Sequence, residues 1–146
     1  MKSADHDFGR QLALHGALLF LVTMAYGGVI SQMMTGAMPG HVGVALSAHV
    51  TGLIAAVWLW GVGWCLPYGS FSPLQLKIVV WGSIVPAWTN FIVGAAKAYT
   101  DAGAVSFTGD AANNVLFAGR LFGVVIPGLL GAAVLVWCLR KSAAGS

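Results

Sequence analysis

The sequence predicts an all-α integral membrane protein: a four-helix bundle with antiparallel neighbours and both termini cytoplasmic, forming a single transmembrane domain over residues 1–146. Three observations lead there. Of 146 residues, 58% are hydrophobic and 8% charged, with no glutamate, whereas a soluble domain carries about 25% charged residues. The apolar residues fall in runs long enough to cross a ~30 Å hydrocarbon core, which takes about 20 residues as a helix. The runs are continuous rather than alternating. Lipid forces backbone polar groups to pair within a helix or a closed barrel, and continuous runs choose the helix.

The expected helices are 11–34, 44–66, 74–100 and 113–139. Gly36, Pro39 and Gly40 break the first pair apart, Pro67, Gly69 and Pro73 the second, and Gly103, Gly109 and Asp110 the third. Glycine and proline clusters of this kind punctuate helices, and turns this short make consecutive helices antiparallel neighbours. Lys2, Arg10, Lys77, Arg140 and Lys141 lie in the tails and second turn, against Lys97 and Arg120 on the other side. The positive-inside rule then sets both tails in the cytoplasm. Cys65 and Cys138 fall on that reducing side, where a disulfide is not expected.

The same composition excludes several classes. The net charge of +3 comes without a basic stripe interleaved with aromatics, so no nucleic-acid partner is expected. The first apolar run begins after ten polar residues and is too long for the h-region of a cleavable signal. Zinc-like Cys/His spacing, a phosphate-binding glycine loop and a nucleophile elbow are all missing. No carboxylate lies inside a predicted span, which disfavours a proton-coupled transporter.

Polar groups at membrane depth are costly and mark function by default. His49 lies about one and a half turns into helix 2, and the positions sharing its face, Ala45, Gly52 and Ala56, are all small. Small neighbours leave room for a flat porphyrin, for which imidazole is a standard axial ligand. They equally permit close helix packing, with His49 bonded to a neighbouring helix. Lys97 and Arg120 share the non-cytoplasmic half with His49. They either neutralise two propionates or snorkel to headgroups. Asn90, mid-bilayer on helix 3, either orients a polar substrate group or bonds between helices. Asn113 and Asn114 are expected to cap helix 4. His15 sits on the order of 20 Å from His49 in depth, so it is expected to bond across helices or hold a loop instead of sharing a metal. Most of the six tryptophans read as interface anchors, with Trp88 set apart.

The order Leu14-His15-Gly16, Ala48-His49, Trp88-Thr89-Asn90 and Gly109-Asp110 resembles the small four-helix membrane isomerases, the hydroxylaminobenzene mutases and styrene oxide isomerases, over Gln11 to Arg140. The resemblance implies a redox-neutral isomerase in the inner membrane of a bacterium, assembled as a homotrimer and serving aromatic compound degradation. It implies heme b with His49 as the axial iron ligand and Gly52 beside it, and it sets Trp88 and Asn90 near the cofactor pocket. Styrene oxide isomerases carry an asparagine six residues after the histidine and a tyrosine four residues after the helix-3 asparagine. This chain has Ala55 and Gly94 there. The preferred expectation is therefore hydroxyl transfer within an aryl hydroxylamine to give an aminophenol, with Asn90 and Trp88 as catalytic groups. The alternatives are epoxide isomerisation on the same heme, and a non-catalytic heme-binding or anchoring protein.

Overall fold

In the computed structural model, residues 3–100 and 102–143 are described, with side chains from Asp7 onward. Helix α1 runs Ser3–Met34 and α2 runs Val42–Cys65, closed by a 3-10 turn at Leu66–Tyr68. Helix α3 covers Pro73–Lys97. The fourth rod is α4 (Ala111–Arg120) joined through a π-helical turn, Leu121–Val125, to α5 (Ile126–Ala143). Four segments are long and apolar enough to cross a membrane: Asp7–Met34, Val42–Tyr68, Pro73–Lys97 and Ala111–Ala143. The all-α fold and the four spans are as the sequence predicts. Helix α1 begins earlier than expected because hydropathy marks the apolar span, whereas the helix continues through the polar residues before it. The fourth rod overshoots 113–139 at both ends for the same reason.

Local chemistry sets the boundaries. Ser72 caps α3 through a capping box with Gln75, and Pro73 stands in the first turn, where its missing N–H costs nothing. Asp110 caps α4, accepting from the N–H groups of Ala112 at 2.6 Å and Asn113 at 3.2 Å. The first loop is tied to the end of α3 by the His41 N–H, which donates to Ala98 O at 2.8 Å.

Helix α3 is the hub. It packs on α1, on α2 and on the fourth rod, whereas the fourth rod has almost no packing on α1 or α2. Leu12 and Leu19 of α1, Leu59 and Val62 of α2 and Val79 and Val80 of α3 are fully buried where the first three helices meet. The bundle is therefore open on one side, with a trough between α2 and α4–α5 floored by α3.

The fourth rod docks through backbone. A methyl placed on Gly82 would come within 2.8 Å of Pro127 O and 2.9 Å of Gly131 Cα, and one on Gly131 within 3.0 Å of Gly82 Cα. With lipid as apolar as any side chain, close packing of this kind is what joins membrane helices. Pro86 deepens the approach, since it withdraws the N–H that Gly82 O would otherwise accept. Gly131→Leu or Gly82→Leu is expected to destabilise the folded protein by at least about 2 kcal/mol through overpacking. Gly61→Leu, at a position with open space around it, should change little. Reversible unfolding in mixed micelles measures both.

Candidate functional site

Two adjoining cavities fill the trough. The upper one, about 240 Å³, is lined by Gly43, Val44, Ser47, Ala48 and Thr51 of α2, Asn90, Val93, Gly94 and Lys97 of α3, and Arg120. The lower one, about 320 Å³ and mostly apolar, takes in Ile54, Ala55 and Trp58, then Pro86 and Ala87, then Val124 and Gly128. Thr51 and Asn90 belong to both, so the two form one groove with these polar groups at its waist.

The fold aims each wall. Ser47, Thr51, Ile54 and Trp58 recur at helical spacing on one face of α2. Asn90, Lys97 and Gly94 share a face of α3. On the fourth rod, Arg120, Val124 and Gly128 would drift by about 40° per step in an uninterrupted α-helix. The π-turn between them, in which the Ile126 N–H donates to Leu121 O, adds a residue to the turn and holds the three in line. Such bulges occur often at functional sites. Thr51 donates its hydroxyl proton to Ser47 O, which leaves oxygen lone pairs free to accept from a ligand in the groove. Lys97 Nζ donates to Gly103 O at 2.7 Å and keeps two further N–H groups. Arg120 has no partner among the described residues.

His49 points the other way. It lies two residues from both Ser47 and Thr51, about 200° around the helix from each, and its ring packs against α1. Nδ1 is 2.8 Å from Thr23 O. A carbonyl only accepts, so Nδ1 carries the proton and Nε2 carries the lone pair. Gly27 leaves room beside the ring; a methyl there would sit 3.4 Å from Cε1. Nε2 has no hydrogen-bond partner among the described residues. Thr23 Oγ1 and Tyr26 OH, on the same stretch of α1, are buried without partners.

Several sequence expectations are thereby sorted. Asn90, Lys97 and Arg120 do come together, but on the opposite side of α2 from His49, so one chain does not gather all four around a single ligand. Gly52 is buried where a methyl would meet Thr23 Oγ1 at 2.5 Å and Phe91 at 2.8 Å; it lets α1 and α3 close on α2 and lines neither cavity. Trp88 also lies off the groove. Its Nε1–H donates to His15 Nδ1 at 3.2 Å, which gives His15 the cross-helix bond expected of it. His15 is eight residues from Thr23, about 12 Å along α1, which is less than the sequence estimate because of the α1–α2 register. Trp60 is an inter-helix tie as well as an exposed ring, donating to Ala13 O at 3.2 Å.

Asn113 and Asn114 are not the caps of α4; Asp110 is. Asn113, buried, accepts from Ala104 N–H at 2.8 Å and donates to Ser106 O at 2.8 Å. Asn114 pairs with both the N–H and the carbonyl of Thr108. Ala104 has φ of +52°, a left-handed conformation that alanine resists, so the Asn113 bond holds a strained loop in place. The cue available in sequence was that Asp110 already supplies a better cap three residues ahead.

Among the described residues, four helices of membrane length define a multi-pass membrane protein, with a groove lined by polar groups as its candidate site. A family model described as styrene oxide isomerase matches residues 8–140. The chain belongs to the styrene oxide isomerase family, and its class is that of an isomerase. Comparison with curated proteins finds no match.

Asn113→Ala is expected to cost about 1–3 kcal/mol, because the Ala104 N–H stays buried without an acceptor. Faster protease cleavage within 102–110 at unchanged helix content would register it.

Proposed function

We propose that the protein is a redox-neutral membrane isomerase that converts an aryl hydroxylamine to an aminophenol in the groove between α2 and α4–α5. The N–O bond breaks, a C–O bond forms on the ring, and the displaced ring proton ends on nitrogen, so no electrons enter or leave. The observation carrying this reading is the wall of the groove at the two positions where the chain departs from styrene oxide isomerases. Ala55 lines the lower cavity and Gly94 the upper. A methyl on Gly94 would already stand 3.0 Å from Ala48 Cβ, so any larger side chain at this crossing needs Ala48 to give way. The groups that handle an epoxide have no counterpart there.

Asn90 does the orienting. Its amide can donate to the hydroxylamine oxygen, while Thr51 Oγ1 accepts from the substrate N–H or O–H. The apolar walls from Ile54 to Gly128 exclude bulk water, which would otherwise capture a ring cation. Trp88, off the groove, ties α3 to α1 through His15.

Heme b is the cofactor this reading implies, and the donor chemistry of His49 fits it. An imidazole whose Nδ1–H is held by a carbonyl keeps the Nε2 lone pair for a metal, as metal-binding histidines commonly do. Bound there, the group would supply a Lewis-acidic iron that polarises the N–O bond. Because His49 and the groove lie on opposite faces of α2, a homotrimer would serve both by setting the His49 face of one copy against the groove of the next. The bacterial inner membrane, with both tails inside, is the location this reading takes.

Epoxide isomerisation is the second reading, favoured by the family match. A heme anchor with two histidine ligands lacks support, since His15 Nδ1 is already the acceptor of the Trp88 bond. Detergent-purified protein should convert phenylhydroxylamine to aminophenol and show a Soret band that His49→Ala removes. Asn90→Ala should lower kcat/KM by about 10²-fold. Turnover of styrene oxide and not of phenylhydroxylamine would give the function to the second reading.

A further inference from the structure

Two cations, Lys97 and Arg120, stand at the upper end of the groove, with no anion among the described residues that line it. Lys97 and Arg120 line the same cavity as Asn90 and Thr51, and no carboxylate pairs with either among the described residues. Long basic side chains near helix ends turn either to an anion or to headgroups, and these two line a cavity. Lys97 is partly satisfied by Gly103 O, whereas Arg120 is not. We infer that this end of the groove seats the carboxylate of the substrate, so that the preferred substrate is an aromatic acid whose reacting group lies at Asn90.

This rests on the aryl isomerase reading and deepens it. Lys97 and Asn90 stand two turns apart on one face of α3, about 10 Å. A single ring carrying its reacting group and its carboxylate para to one another spans less, and the two flexible basic side chains close the difference. Room is sufficient: a cavity of about 150 Å³ holds benzene, and the upper cavity alone is about 240 Å³. Arg120 offers a planar fork matched to a carboxylate, and Lys97 a point charge beside it. The apolar lower cavity gives the ring a face to lie on.

The test has a binding arm and a turnover arm. In a zwitterionic detergent, benzoate should raise the thermal unfolding temperature of the protein and its neutral isostere benzamide should not. Arg120→Gln should remove that difference and Arg120→Lys should restore part of it. For turnover, the ratio of kcat/KM for 4-hydroxylaminobenzoate to that for phenylhydroxylamine should exceed one, and Arg120→Gln should lower it by about tenfold, the worth of one charge-assisted hydrogen bond. If neither substrate reacts, the aryl hydroxylamine reading fails while the benzoate arm still decides the anion site. Equal effects of benzoate and benzamide would overturn the inference. So would loss of the benzoate effect in phosphatidylglycerol nanodiscs, which gives the cations to a lipid headgroup. A fall in heme content in Arg120→Gln without change in the benzoate effect would give them to the propionates and overturn it as well.

Discussion

A polar side chain inside a bilayer has only the protein to turn to, and that constraint organises this molecule. Most of the inward polar groups fall into two sets. His15, Trp60, Trp88 and the Nδ1 of His49 find partners on another helix. Asn90, Thr51 and Arg120 instead face a groove that the fold leaves open. The first set ties α1 to α2 and α3, and the second lines the groove. Helices α2 and α3 carry members of both sets on different faces, and α3 packs on every other rod.

The helices were legible because lipid leaves no other secondary structure for a long apolar run, and the turns because glycine and proline interrupt those runs. The face of His49 was legible too: Ala45, Gly52 and Ala56 are buried alongside it, as helical spacing predicts. Rotation of α2 about its own axis was not. Small residues mark a face that packs closely without saying which neighbour it packs against. Here that neighbour is α1, through Thr23 and Gly27, and neither residue carries a signal that would single it out. Once α2 is rotated this way, Asn90, Lys97 and Arg120 necessarily fall on the other side.

Asn113 and Asn114 illustrate a second limit. Their position at a helix start matches the preference for caps, but a cap needs only one oxygen in the right place, and Asp110 provides it. What the asparagines do instead is bond a loop lying before them in the chain, and such loop conformations are set by dihedral angles that composition does not encode. The π-turn is equally silent in sequence. Its segment, Leu121 to Val125, contains only ordinary apolar residues and one glycine, and its reason lies across the interface, where Gly123 lets Thr89 approach.

The open side of the bundle couples stability to the site. The fourth rod is the least buried of the four spans and rests on α3 alone, so the Gly82–Gly131 crossing acts as the pivot that sets the groove's width. Anything that lifts the fourth rod at that crossing moves Val124 and Gly128 off the lower cavity and swings Arg120 at the upper one. A ligand bound as proposed, bridging α3 and the fourth rod, would act in the opposite sense and draw the rod inward. Close backbone packing and ligand binding therefore strain or relieve the same contact. Two glycines with no chemistry of their own thus shape the same groove that Asn90 lines.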